Sequence, residues 1–210
     1  MTVRATRREA NKFFLDGTIA LAKMEHNGLR VNRKYLEKTM KETEATIKSN
    51  FKKMKEDPFY KDWYRMFGAK TNIDSVQQIG KLLTKQGHKT RFKTEKGNDQ
   101  WNEEALSHID LPFLKAYNEN RKLKKAHGTY LTGILRETDG DGFLHPFYNL
   151  AGGGDDDAGS AKSFRSTSQA PNFQNLPMRN PVMSKLIRPV FISREGMLGV
   201  EQDFSQIEVR

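Results

Sequence analysis

Cysteine is absent from the 210 residues, which excludes disulfide cross-links and thiolate-ligated metal sites and is compatible with a reducing compartment. No apolar run approaches the roughly 18–20 residues of a bilayer-spanning helix, so a membrane-spanning protein is not expected. Internal repeats are missing as well, which argues against a solenoid or propeller. Acidic residues are in deficit: 26 Asp and Glu stand against 36 Lys and Arg, a formal net charge of +10. That balance suits a polyanionic partner and by itself does not choose between nucleic acid and an anionic membrane surface.

What is present is mostly helical pattern. From Glu9 to Met24, the residues Phe13, Phe14, Ala20, Leu21 and Met24 are expected to form the buried side of a helix closed by Asn27-Gly28. A second helix is expected from Arg33 to about Glu56, with Leu36, Met40, Ile47, Phe51 and Met54 inward and Asp57-Pro58 as its stop. A third runs from about Asp74 to Gln86, and a fourth from Pro112 to Arg136 with Leu114, Tyr117, Leu123, Ala126, Tyr130 and Ile134 inside. Beyond this the texture changes. Asp139-Gly140 and Asp141-Gly142 signal turns, Phe143-Leu144 and Phe147-Tyr148-Asn149-Leu150 read as strands, and residues 151–160 are a Gly/Asp-rich loop. The chain from 161 onward reads as loop and strand.

The last eight residues are Asp203-Phe204-Ser205-Gln206-Ile207-Glu208-Val209-Arg210. The apolar run Met197-Leu198-Gly199-Val200 before them reads as a strand, so the Asp203 carboxylate is expected at a strand end. Ser205 with Glu208 three places on also makes a helix capping box, and those residues alone permit that reading. The whole string, however, resembles motif A of the family A DNA polymerases, Asp-Tyr-Ser-Gln-Ile-Glu-Leu-Arg, with conservative changes at Phe204 and Val209. Such enzymes displace at phosphorus with the help of two divalent metals, bridged by carboxylate. The resemblance implies Asp203 and Phe204 as metal-binding positions, with two Mg2+ ions in the completed site and Mn2+ as the alternative. It makes Asp203 and Glu208 catalytic, places Ser205, Gln206, Ile207 and Glu208 at the incoming nucleotide, gives Glu208 the exclusion of a ribose 2′-hydroxyl, and leaves Arg210 as support.

Three upstream segments resemble the same family in collinear order. Arg165-Ser166-Thr167-Ser168-Gln169-Ala170-Pro171-Asn172-Phe173-Gln174-Asn175-Leu176-Pro177 is similar to its Arg-Leu-Ser-Ser-Ser-Asp-Pro-Asn-Leu-Gln-Asn-Ile-Pro stretch, although Ser163-Phe164 replaces the preceding Thr-Gly. Arg165, Gln174 and Asn175 supply donors for minor-groove acceptors that occupy nearly the same places in all four base pairs, and Asn172 orders the loop or touches the sugar. Arg121-Lys122-Leu123-Lys124-Lys125-Ala126-His127-Gly128-Thr129-Tyr130 resembles a helix of the polymerase thumb, and Arg121, Lys124 and Lys125 are its expected phosphate contacts. Asn72-Ile73-Asp74-Ser75 resembles the thumb-tip turn, where Asn72 and Ser75 would meet DNA; the same residues also make an ordinary N-cap. Residues 21–31 resemble the opening of the polymerase domain.

The implied fold is α+β: an N-terminal helix packing on the palm (1–32), a helical thumb (33–136) and the first part of an antiparallel palm sheet (137–210), an incomplete right-hand polymerase. The family's fingers and second metal-binding Asp are not in the sequence. The expected function is therefore the N-terminal subunit or fragment of a split DNA-directed DNA polymerase, with primer-template DNA, deoxynucleoside triphosphates and a second polypeptide as partners, in the cytoplasm of a bacterial or phage-infected cell. The competing expectation is a non-catalytic, thumb-like DNA-binding module.

Overall fold

The computed structural model describes residues 6–150, 166–177 and 180–200. They divide into two compact units. Residues up to Lys38 and from Tyr130 onward form the first, and Thr39–Thr129 the second.

The first unit opens with α1 (Arg7–Asn27), started by a reciprocal capping box between Thr6 and Glu9 and stopped at Gly28, whose φ of 63° suits glycine. A side chain there would also collide with the His145 ring, 2.7 Å from the position of a Cβ. β1 (Leu29–Val31) then lies between β2 (Phe143–Leu144) and β5 (Phe191–Ile192) in an antiparallel sheet, with Leu29 opposite Leu144 and Val31 opposite Phe191. β3 (Phe147–Asn149) and β4 (Thr167–Gln169) form a second antiparallel pair with Tyr148 opposite Ser168. α7 (Thr132–Glu137) and α8 (Pro181–Ile187) complete the unit. Val31, Leu131, Ile134, Leu144, Met183, Ile187 and Val190 are buried here.

α2 (Arg33–Glu56) leads into the second unit, which adds α3 (Pro58–Phe67), α4 (Val76–Lys85), α5 (Glu103–Ser107) and α6 (Pro112–Lys125). Its core is Met54, Phe59, Trp63, Ile79, Leu82, Leu83, Leu106, Phe113, Leu114 and Tyr117. Phe59 stacks on Phe113 with centroids 4.8 Å apart, and Trp63 meets Tyr117 edge-on at 6.3 Å. Such offset and T-shaped contacts add about 0.5–1.5 kcal/mol each beyond area burial.

The α+β class expected from the sequence is observed, as helices with small antiparallel sheets. Several details differ. α1 buries none of its residues; Phe13 is 71% and Met24 52% exposed, because an amphipathic stripe states that a face is apolar without supplying what covers it. Asp57-Pro58 ends α2 and also starts α3, with the Asp57 carboxylate accepting the Phe59 N–H and Pro58 at the first helical position. The expected helix 112–136 is interrupted by a π-helical segment, Ala126–Leu131. Its five-residue spacing moves burial from the expected Tyr130 to Leu131, which is fully buried. Residues 197–200 form no strand, and Leu198 is 92% exposed; a short apolar run needs a pairing neighbour to satisfy its main chain, and it has none among the described residues. α8 lies where loop and strand were expected.

Candidate nucleic-acid interface

In the second unit, two segments expected to meet DNA come together. The 70–75 turn precedes α4, whose N-cap is Ser75: its hydroxyl oxygen accepts the Gln78 main-chain N–H at 3.3 Å. Asn72 accepts the Asp74 N–H on its side-chain oxygen at 3.0 Å, a local turn that this residue type favours. Asn72 itself is exposed. From α6, the Lys124 ammonium reaches the Asp74 carboxylate at 2.7 Å, so turn and helix share one surface.

The last turns of α6 are basic because their opposite side is committed to the core. Phe113, Leu114 and Tyr117 are buried, whereas Lys125 is exposed and makes no ion pair with another of the described residues. The Arg121 guanidinium sits 5.7 Å above the Tyr117 ring, and Lys122 pairs with Glu103 at 3.1 Å. Burial pushes the Tyr117 hydroxyl up to about 12, with Arg121 opposing it. Tyr117 is thus neutral and structural. Arg121, Lys124 and Lys125 line one end of the helix with three cations, of which Lys124 is already partnered by Asp74 and Lys125 is exposed.

In the first unit, Asn172, Gln174 and Asn175 gather on the short 3-10 turn Phe173–Asn175, all three exposed. The Asn172 side-chain oxygen accepts the main-chain N–H groups of Gln174 at 3.0 Å and Asn175 at 3.2 Å, which is the ordering role expected of it. The Gln174 side-chain amide donates to the Ser166 carbonyl at 2.7 Å and to the Ser166 hydroxyl oxygen at 3.2 Å, so donation elsewhere would exchange one of these bonds. Asn175 presents its side chain outward while its carbonyl accepts the Tyr130 hydroxyl at 3.0 Å. Buried Ser168 braces the turn from below, accepting the Phe173 N–H and donating to the Pro171 carbonyl, both at 3.3 Å. Tyr130 and Ser168 were not assigned support roles from sequence. Tyr130 stands inside the thumb-like string, but nothing local names its partner 45 residues away.

Arg165 and the positions Asp203, Phe204, Ser205, Gln206, Ile207, Glu208 and Arg210 lie outside the described residues. Among the described residues no group of three His, Asp or Glu side chains is placed to hold a metal ion, and no helix is long and apolar enough to cross a membrane.

A family model described as DNA polymerase family A matches residues 36–210. The thermostable DNA polymerase I of Thermus thermophilus is 29% identical over 197 residues, covering 90% of this chain and 21% of the relative. The DNA polymerase I of Lactococcus lactis subsp. cremoris is 30% identical over 196 residues, covering 90% and 20%. Among solved structures, the POL domain of Pol1 from M. smegmatis, in complex with DNA primer-template and dNTP, superposes with a TM-score of 0.63 at 27% identity, over 84% of this chain and 28% of that one. The chain therefore spans about a fifth of the length of the curated relatives it matches. These matches give no support to the expected second polypeptide.

Proposed function

Because the chain belongs to DNA polymerase family A, we propose that it supplies a grip on primer-template DNA and one metal-binding carboxylate of a DNA-directed DNA polymerase. The observation that carries this reading is the Asp74–Lys124 contact, which sets the Asn72–Ser75 residues and the basic end of α6 on one surface from segments fifty residues apart. In this reading Thr39–Thr129 contains most of the thumb, and the three-stranded sheet of β2, β1 and β5 is palm. Lys125, Arg121 and the start of α4 follow phosphates, while Asn175, Gln174 and Arg165 test the minor-groove edge of the primer end. Neutral amide donors on a rigid turn suit that task, since they reward correct geometry in every sequence alike.

The Asp203 carboxylate and the Phe204 position would hold magnesium, a hard ion matched to oxygen donors, which neutralises charge on the transferring phosphate when bound. One carboxylate is too few for a two-metal site. We assign the second carboxylate and the fingers to sequence other than these 210 residues, on a separate chain in the split-subunit form of the proposal. Glu208 would wall off the 2′ position of the incoming sugar. A non-catalytic DNA-binding module is the weaker reading, because such a module has no use for Asp203 and Glu208 together.

Primer extension by this chain mixed with a fragment carrying the fingers and second palm motif tests the assignment. Extension is expected from the mixture and not from Asp203→Asn, which should still bind duplex. Equal loss of duplex binding would make Asp203 structural. In the same mixture Glu208→Ala should raise ribonucleotide use relative to deoxyribonucleotide, about tenfold for each 1.4 kcal/mol of discrimination removed.

A further inference from the structure

Gln78, the third residue of α4, makes three side-chain hydrogen bonds. Its carbonyl oxygen accepts the indole N–H of Trp63 at 3.1 Å and the main-chain N–H of Asn72 at 2.9 Å. Its amide nitrogen donates to the Lys70 carbonyl at 2.8 Å. Trp63 is fully buried in the aromatic core, whereas Asn72 is exposed. One side chain therefore ties the 70–75 turn at two main-chain points to the buried aromatic core of the unit. From there the constraint continues outward: Asn72 accepts the Asp74 N–H, and Asp74 meets Lys124.

The chemistry restricts what could replace it. The site needs an acceptor with two free lone pairs and, on the same planar group, a donor. Glutamate would keep the acceptor and present a second oxygen to the Lys70 carbonyl, and lysine would offer only donors. An ordinary helix start needs no such link, since Ser75 already caps α4 and Asn72 already closes the turn. The added restraint fixes the direction of residues 70–75 relative to the core.

We propose that Gln78 is a positioning residue for duplex DNA binding, holding Asn72 and Ser75 in the geometry in which they meet the DNA backbone. The proposal rests on the thumb reading given above. A preordered turn loses less freedom on binding, so its effect appears in affinity as well as in stability.

The test uses the full 210-residue chain and a fluorescent primer-template duplex, with affinity read from anisotropy well below the melting temperature and main-chain amide exchange followed at Asn72. Gln78→Ala should weaken duplex binding at least about threefold and speed exchange at Asn72. Gln78→Met, which keeps side-chain volume against Trp63 and removes all three bonds, should do the same. Of the three Gln78 bonds Trp63→Phe removes only the one from the indole, together with core packing; it should lower the melting temperature while leaving affinity within about twofold and the Asn72 amide protected. Equal weakening by Trp63→Phe and Gln78→Met would reduce Gln78 to a stability element and overturn the proposal. So would wild-type affinity in Gln78→Met. Absence of duplex binding by the wild-type chain is a different failure, since it removes the thumb reading itself.

Discussion

The Lys124 ammonium lies 2.7 Å from the Asp74 carboxylate, so one of the two lysines expected to follow phosphate enters the interface already paired. The two lysines are therefore unequal. Counterion release contributes about 0.9 to the log–log salt slope for each phosphate neutralised. Lys125→Ala should flatten the slope for duplex binding by about that amount, and Lys124→Ala by less. Asp74→Asn should tighten binding at low salt and steepen the slope, because it releases Lys124. Titrations between about 50 and 200 mM NaCl read all three; equal effects of the two lysine changes would show that the ion pair opens on binding.

Gly80 sits mid-helix in α4, where alanine is ordinarily better by about 0.8–1 kcal/mol. Here a Cβ would lie 2.2 Å from Cδ1 of the Trp101 indole. Gly80→Ala should therefore destabilise the chain, by roughly 1–3 kcal/mol as an overpacking change. In a Trp101→Ala background the same substitution should stabilise it, by up to about 1 kcal/mol. Denaturant unfolding of the four proteins in the cycle gives the sign, and a destabilising effect in both backgrounds would mean that helix packing other than Trp101 excludes the methyl.

The Asp139 carboxyl is held below its ordinary value of 3.8 chiefly by the Phe143 main-chain N–H, with His145 and the Asp141 N–H adding to it against the cost of desolvation. A depressed folded-state value stabilises the fold above the unfolded value, and the contribution is lost as pH falls through the folded one. The urea midpoint should accordingly decline as pH is lowered from about 5 toward 2, and less steeply in Asp139→Asn, which keeps an acceptor without a titrating charge. Parallel declines in the two proteins would locate the acid sensitivity elsewhere.

Periodicity and punctuation made α2, α4 and the Gly28 stop legible, since each depends on a local apolar stripe or a local cap. Asp57-Pro58 and Asn180-Pro181 each place a capping side chain before a proline at the first helical position, whereas Pro112 follows the non-capping Leu111; a proline reads equally as a stop, and which meaning holds depends on packing downstream of Phe59 and Met183. The π-helical segment at 126–131 was invisible because one extra residue per turn leaves no distinctive composition. For the candidate interface, the family resemblance singled out Asn172 and Lys124, which by residue type alone read as an ordinary loop and a solvated helix face. It could not expose their partners: Asp74 is fifty residues from Lys124, and Gln78 reads as one more polar position on a helix until Trp63, Asn72 and Lys70 surround it.

The grip on duplex DNA is tested most directly by the affinity of the wild-type chain for two primer-template duplexes of the same length and unrelated sequence, measured as a function of salt. The account predicts affinities equal within about twofold and a steep loss between about 50 and 200 mM NaCl, as phosphate contacts from several cations require. A flat salt response, or a strong preference for one of the two sequences, would contradict it.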